Sequence, residues 1–187
     1  MDQFSYLSVL LSIIIGLAIT QVLKGFRGIV LARRRVVMYW PVVVWAVLLL
    51  AIDVQSWWAS FGLRWIAHWT FPEFAVVLLQ TTIQYMLAAL VFPDFFGDEP
   101  TDLREHYYGH TGWFFSLLIA LFATSLSKDL VIDGRLPESS NVAFHMAFLA
   151  GALGALCTRR EGYHKAVSIV GLLGFAVYTM ALFSRLR

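Results

Sequence analysis

The chain has 187 residues, 59% of them hydrophobic and 14% charged, with a formal net charge of +2 and a mean hydropathy of +0.72. Soluble domains are about 45–50% apolar and about 25% charged, so the composition excludes an ordinary water-soluble fold, and the weak net charge excludes a nucleic-acid binder working through a basic surface. The single cysteine, Cys157, excludes an internal disulfide and reads as a small apolar packing residue; no residue set has the spacing of a zinc cluster.

A helix that crosses a bilayer needs about 20 mostly apolar residues, and six stretches meet or approach that length. The first covers 4–23. It has neither a basic start nor a small-residue cleavage site, so it reads as a span rather than a signal peptide. An amphipathic extension through Lys24, Phe26, Ile29 and Val30 leads to Arg33-Arg34-Arg35. The second stretch, 36–63, carries Asp53 inside its apolar run. The third, 70–92, has Pro72 near its start and is stopped by Pro93. A polar loop is expected over 94–110, with the acids Asp94, Asp98, Glu99, Asp102 and Glu105. The last three spans are 113–132, 141–156 and 163–183. No polar stretch is long enough for a second core. The expected fold class is therefore an all-α integral membrane protein, one domain over 1–187, forming a compact six-helix transmembrane bundle.

Lysine and arginine near span ends mark the cytoplasmic side. The first, third and fifth connections hold Lys24, Arg27, Arg33, Arg34, Arg35, Arg104, Arg159, Arg160 and Lys165; the other side receives Arg64, Lys128, Arg135, Arg185 and Arg187. This predicts an N-terminus outside, the 94–110 loop in the cytoplasm and residence in the plasma (inner) membrane. The basic run of the first connection also attracts anionic lipid headgroups, at about 1 kcal/mol per basic residue near the surface.

Two patterns bear on packing. Ser12 to Lys24 aligns without gaps on Ser116 to Lys128, sharing the Ser, one Ile, one Leu, the Thr and the Lys. Three spans per half is an odd number, so true halves would form inverted three-helix repeats, a plan common in transporters. The same residues also make stripes of small side chains at every fourth position: Ser12, Gly16 and Thr20; Ser116, Ala120 and Thr124; Ala147 and Gly151. Such stripes let helix backbones approach closely in lipid, which predicts spans one, four and five at the centre of the bundle.

Polar side chains at depth give the candidate site. Asp53 stands about 27 Å along its helix from Arg35 and about 16 Å from Arg64. An ionisable group at that depth is costly unless it faces protein or water. Ser56 and Ser60 share its face, while Gln80 and Gln84 share one face of the third span and His145 reaches a similar level on the fifth. Asp53, Gln80, Gln84 and His145 are therefore expected to meet in one substrate- or ion-binding pocket open to the outside. The competing reading makes the same groups interhelical hydrogen-bond partners, worth about 0.6 kcal/mol each.

Other constellations carry less. His106 and His110 have a metal-binding helical spacing, but Gly109 intervenes and the segment reads as a solvated loop, so no metal site is expected. Bis-histidine haem ligation needs two histidines at depth, and only His145 qualifies; no cofactor is expected. Trp40, Trp65, Trp69 and Trp113 fall at span ends, as aromatic belts do, and Trp45, Trp57 and Trp58 read as core. There is no nucleophile–base pair, phosphate loop or nucleotide fingerprint, so no enzyme is expected. Two functions remain: a transporter or channel subunit moving a small solute, cation or proton past Asp53, or a non-catalytic accessory subunit of a larger membrane complex. In either case the expected partners are the lipid bilayer and further membrane chains, as a homo-oligomer or within a complex, and no nucleic acid.

Overall fold

The computed structural model describes residues 3–66, 68–97 and 99–182; Asp98, Phe183, Arg185 and Arg187 lie outside the described residues. The chain forms α1 (Gln3–Leu31), β1 (Val36–Val37), α2 (Trp40–Ser60, prolonged by a 3-10 turn over Phe61–Trp65), α3 (Phe71–Leu90), β2 (Thr101–Asp102), α4 (Leu103–Asp133), α5 (Ser139–Cys157) and α6 (Glu161–Leu182). All six α-helices are long and apolar enough to cross a membrane. The two short strands pair in parallel, Val36 opposite Thr101, and the Thr101 N–H donates to the Arg35 carbonyl at 2.8 Å. They tie the first connection to the third at what is called here the strand end. The α4–α5 turn, residues 134–138, marks the opposite, hairpin end.

Local chemistry sets the boundaries. Pro41 lies in the first turn of α2, where a missing N–H costs nothing, so α2 starts at Trp40 and Val36–Val37 are left to the strand pair rather than to the span. The Glu73 carboxylate folds back on Thr70, accepting from its N–H at 2.6 Å and its hydroxyl at 2.8 Å, and fixes the start of α3. Gly134, at φ 66°, ends α4 in the left-handed conformation that glycine adopts without strain.

The expected polar loop over 94–110 needs correction. The Asp102 side chain accepts from the backbone N–H groups of Arg104 at 2.7 Å and Glu105 at 3.3 Å, so α4 begins at Leu103 and His106–His110 are helical. Gly109 is tolerated because the helix on either side carries the hydrogen bonding. With 29 and 31 residues, α1 and α4 are on the order of 45 Å long against a hydrocarbon thickness of about 30 Å. Their surplus turns, the end of α1 and the start of α4, project together at the strand end.

The centre of the bundle is not where the small-residue stripes predicted. α2 is the most buried span and α5 the least, 39% against 17% of the apolar window. Ser12, Gly16 and Thr20 face outward, as does Ser116; a Cβ on Gly16 meets nothing within 4 Å. The inner face of α1 is Leu11, Ile15, Ala18, Val22 and Gly25, while equally bulky Leu10, Ile13 and Leu17 face outward. Small residues do sit at the close contacts, in a different register: Ala18, Ala46, Ala88, Ala152 and Ala155 are all 2% exposed or less. Thr124 is buried and Ala120 packs against the core. Ala147 and Gly151 face an apolar cavity of about 210 Å³, and a Cβ on Gly151 would stand 3.3 Å from Val167. Trp45 is core, edge-on to Phe114 and Phe115, whereas Trp57 and Trp58 turn outward and Cys157 is exposed at the end of α5. The halves also pack differently: α1 lies along α3, while α4, its counterpart, packs on α3 and α5 rather than along α6.

Candidate functional site

Four helices bring polar groups together inside the hairpin-end half of the bundle. α2 contributes Gln55 and Ser56, α3 contributes Gln80, Thr81 and Gln84, α4 contributes Ser125 and Lys128, and α6 contributes Tyr178, around a cavity of about 80 Å³. Lys128, Ser125, Tyr178 and Ala59 also line a cleft of about 580 Å³ beside the α4–α5 turn, whose rim carries Asp129, Asp133, Arg135 and Glu138. Ala59, Ser125, Lys128 and Tyr178 wall both, so the cleft at the hairpin end is followed inward by the cavity. It reaches Gln84, about 20 Å along α3 from its start. Toward the strand end the bundle is closed by Leu49, Leu87, Phe115 and Leu118, each at most 3% exposed.

At the closed end the hydrogen bonding is incomplete. The Gln84 side chain, 1% exposed, donates through Nε2 to Ser56 Oγ at 2.5 Å, but its Oε1 is buried with no partner among the described residues. Gln80 Oε1 and Asp53 Oδ2 are in the same condition. The two glutamine oxygens are acceptors, so what that wall lacks is a donor or a cation. Buried oxygens are nearly always satisfied, and leaving one unmade costs about 1–3 kcal/mol.

The expected four-residue pocket is therefore assembled in part. Gln80 and Gln84 lie together on the cavity wall. Asp53, 1% exposed, is one helical turn from Ser56 and stands behind that wall rather than on it. His145 is a further step away. Its Nδ1 lies 2.9 Å from the Asn141 carbonyl and its Nε2 3.0 Å from Ser125 Oγ. A carbonyl only accepts, so Nδ1 carries the proton and Nε2 accepts from the Ser125 hydroxyl. The ring packs edge-on to Phe122 and Tyr178, and the Tyr178 hydroxyl donates to Asn141 at 3.3 Å. His145 thus orients Ser125 and supports Tyr178 from outside the cavity. The sequence reading missed Ser125, Lys128 and Tyr178 as wall residues. The signal for the first two was present, since both lie in the Ser116–Lys128 segment one and four residues after Thr124 on the polar side of α4.

At the strand end the histidines serve structure. His106 Nε2 donates to the Leu90 carbonyl at 3.1 Å, closing the end of α3. His164, fully buried, donates through Nε2 to the Thr158 carbonyl at 2.8 Å and accepts at Nδ1 from the Tyr107 hydroxyl at 2.9 Å. Burial first, then the adjacent Tyr108 hydroxyl, holds the Tyr39 phenol well above its ordinary range, so it remains a neutral partner of Tyr108 at 3.4 Å. Among the described residues no group of three or more His, Cys, Asp or Glu side chains is arranged to hold a metal.

Comparison of the chain with protein-family models, with curated proteins and with solved structures gives no match.

Proposed function

We propose that the chain is an integral membrane protein of the plasma (inner) membrane, its N-terminus outside, and that it is a small transporter or channel subunit moving a proton or small cation along the polar path toward Asp53. The membrane placement is supported by the outward faces of the helices, where Ile13, Leu17, Val54, Leu79, Val170 and Leu173 are all about half exposed or more. Water would penalise such a surface at about 25 cal/mol per Å²; lipid does not.

The observation that carries transport is the pair of unpartnered oxygens on Gln80 and Gln84 on the wall of the inner cavity, with Asp53 one helical turn behind that wall. The unpartnered acceptors at the inner end favour a proton, hydronium or metal cation there over an anion, while Lys128 lines the same cavity nearer the mouth. Size narrows this further. A water needs about 10–15 Å³ of such volume, so a cavity of about 80 Å³ holds a few waters or one partly hydrated ion and excludes a sugar or amino acid. Asp53 would neutralise the ion, Gln80 and Gln84 would coordinate it, and His145 would hold Ser125 in place.

An accessory role within a larger membrane complex, or assembly as a homo-oligomer, draws on a different observation: Ser12, Gly16 and Thr20 form a small-residue face that this chain leaves uncovered. Inverted repeats are not needed for either reading. The test is proton and cation flux in liposomes holding the purified protein, wild type beside Asp53→Asn. Flux present in the wild type and lost in the variant supports transport. No flux from either, with the protein extracted only alongside other chains, sinks transport in favour of the accessory role.

A further inference from the structure

The apolar cavity beside Ala147 and Gly151 lies among α2, α4, α5 and α6, apart from the polar path. At about 210 Å³ it is larger than the dry apolar cavities of about 150 Å³ that take up benzene. Among its wall residues only Trp45 has a side-chain nitrogen or oxygen. That ring turns its carbocyclic edge, Cη2 and Cζ3, toward Gly171, and its Nε1 lies toward the Tyr107 hydroxyl. A buried water needs about 2–4 polar partners, so water does not fill this space. Nor does the wall fall in to close it, because its rings are braced. Trp45 is held edge-on to Phe114 and Phe115, and Phe148 stacks on Phe122 at 5.3 Å.

Depth and mouth together identify the occupant. Phe148 and Gly171 stand on the wall at the middle of α5 and α6, and Gly171 is about 15 Å along α6 from Glu161. Half of a hydrocarbon layer about 30 Å thick is the same distance, so the cavity lies at the bilayer midplane, where acyl chains end and headgroups do not reach. Most of the wall is buried or half-buried, but Ala147 on α5 and Val170 on α6 are exposed. The mouth therefore opens sideways at the α5–α6 seam. The surface around it is apolar, with Met146, Leu153, Leu173 and Val177 all about half exposed or more.

From this geometry we infer that the cavity seats the end of a lipid acyl chain, which enters between Ala147 and Val170 and lies against Leu48, Phe148 and Ala152. Occupied, it joins α5, the least buried span, to α2 through hydrocarbon contacts. The inference rests on the membrane placement but not on transport.

The test is photocrosslinking of the full chain in liposomes of phosphatidylcholine that carries a diazirine at the end of one acyl chain, with adduct positions read by peptide mass spectrometry. Adducts are expected on the inward Leu48 and Ala152 as well as on the outward Leu153 and Leu173. A diazirine placed next to the glycerol should label Leu48 and Ala152 at least tenfold less. Ala147→Trp blocks the mouth and should cut the inward adducts at least tenfold while the outward ones stay unchanged; Val170→Trp repeats the block from the other helix. Both positions are exposed, and the melting temperature reports whether the variants fold. Adducts confined to Leu153 and Leu173 would overturn the site and leave the membrane placement standing. Equal inward labelling by the two probes, or inward adducts that survive both blocks, would overturn the seated chain end and its mouth. Adducts on neither set would overturn the membrane placement as well.

Discussion

Asp53 and Gln84 separate what a residue contributes to stability from what it contributes to function. A carboxylate 1% exposed with an unpartnered oxygen is retained against its desolvation cost. Asp53→Asn keeps the shape and removes the charge, so the variant is expected to unfold at the same temperature as the wild type or higher, while losing flux. Thermal unfolding in detergent checks this; a large drop would mean that Asp53 holds the fold together. Gln84→Leu removes the bond to Ser56 and one orphaned acceptor. Intramembrane hydrogen bonds average about 0.6 kcal/mol, so stability should move by less than about 1 kcal/mol. Flux should fall at least tenfold, since the deepest wall oxygen is gone. Unchanged flux in this variant would place the ion path elsewhere.

At the scale of elements, the start of α4 and the docking of α1 are the informative places. Asp102→Ala removes the acceptor that ends the 94–102 segment and should cost about 1 kcal/mol. Amide exchange should quicken at Arg104 and Glu105 while the remainder of α4 stays protected; protection lost along the whole helix would refute a local cap. Gly25→Val drives a branched side chain into the Phe92 ring and should destabilise by about 1–3 kcal/mol, as overpacking does. The six apolar runs were legible because about 20 apolar residues in succession leave few alternatives. The start of α4 was legible in principle, since Asp102 followed three residues later by Glu105 is a helix-start pattern, but Gly109 outweighed it. The α1 stripe faces outward for a geometric reason. A period of four drifts around a helix of 3.6 residues per turn, and each residue of offset turns the face by about 100°. Moving from Gly16 to Ala18 therefore exchanges an outward face for an inward one.

Over the whole molecule, the polar and basic features divide between the two ends. The path past Lys128 and Ser125 opens at the hairpin end, and the basic run with the strand pair lies at the other. The sequence made the depth of Gln80, Gln84 and Asp53 legible, because position along a helix follows from residue count. It did not reveal that His145 stops one side chain short, since rotation and lateral packing depend on neighbours that no single helix encodes. In the proposed orientation the strand end, which carries the excess of arginine and lysine, lies in the cytoplasm, and thiol labelling tests that proposal. Native Cys157 is exposed at the strand end, and Ser139, exposed at the hairpin end, accepts a cysteine without touching the core. In intact cells a membrane-impermeant maleimide should label Ser139→Cys in a Cys157→Ser background and leave native Cys157 unlabelled until lysis. The reverse pattern would invert the molecule, placing the path mouth in the cytoplasm. Ser125→Cys then extends the test inward. If the path is wet, it reacts from the same side as Ser139→Cys, and it loses that reactivity when Asn141→Trp fills the mouth; reaction from neither side would mean that the bundle is dry between Lys128 and Gln84 and carries no ion.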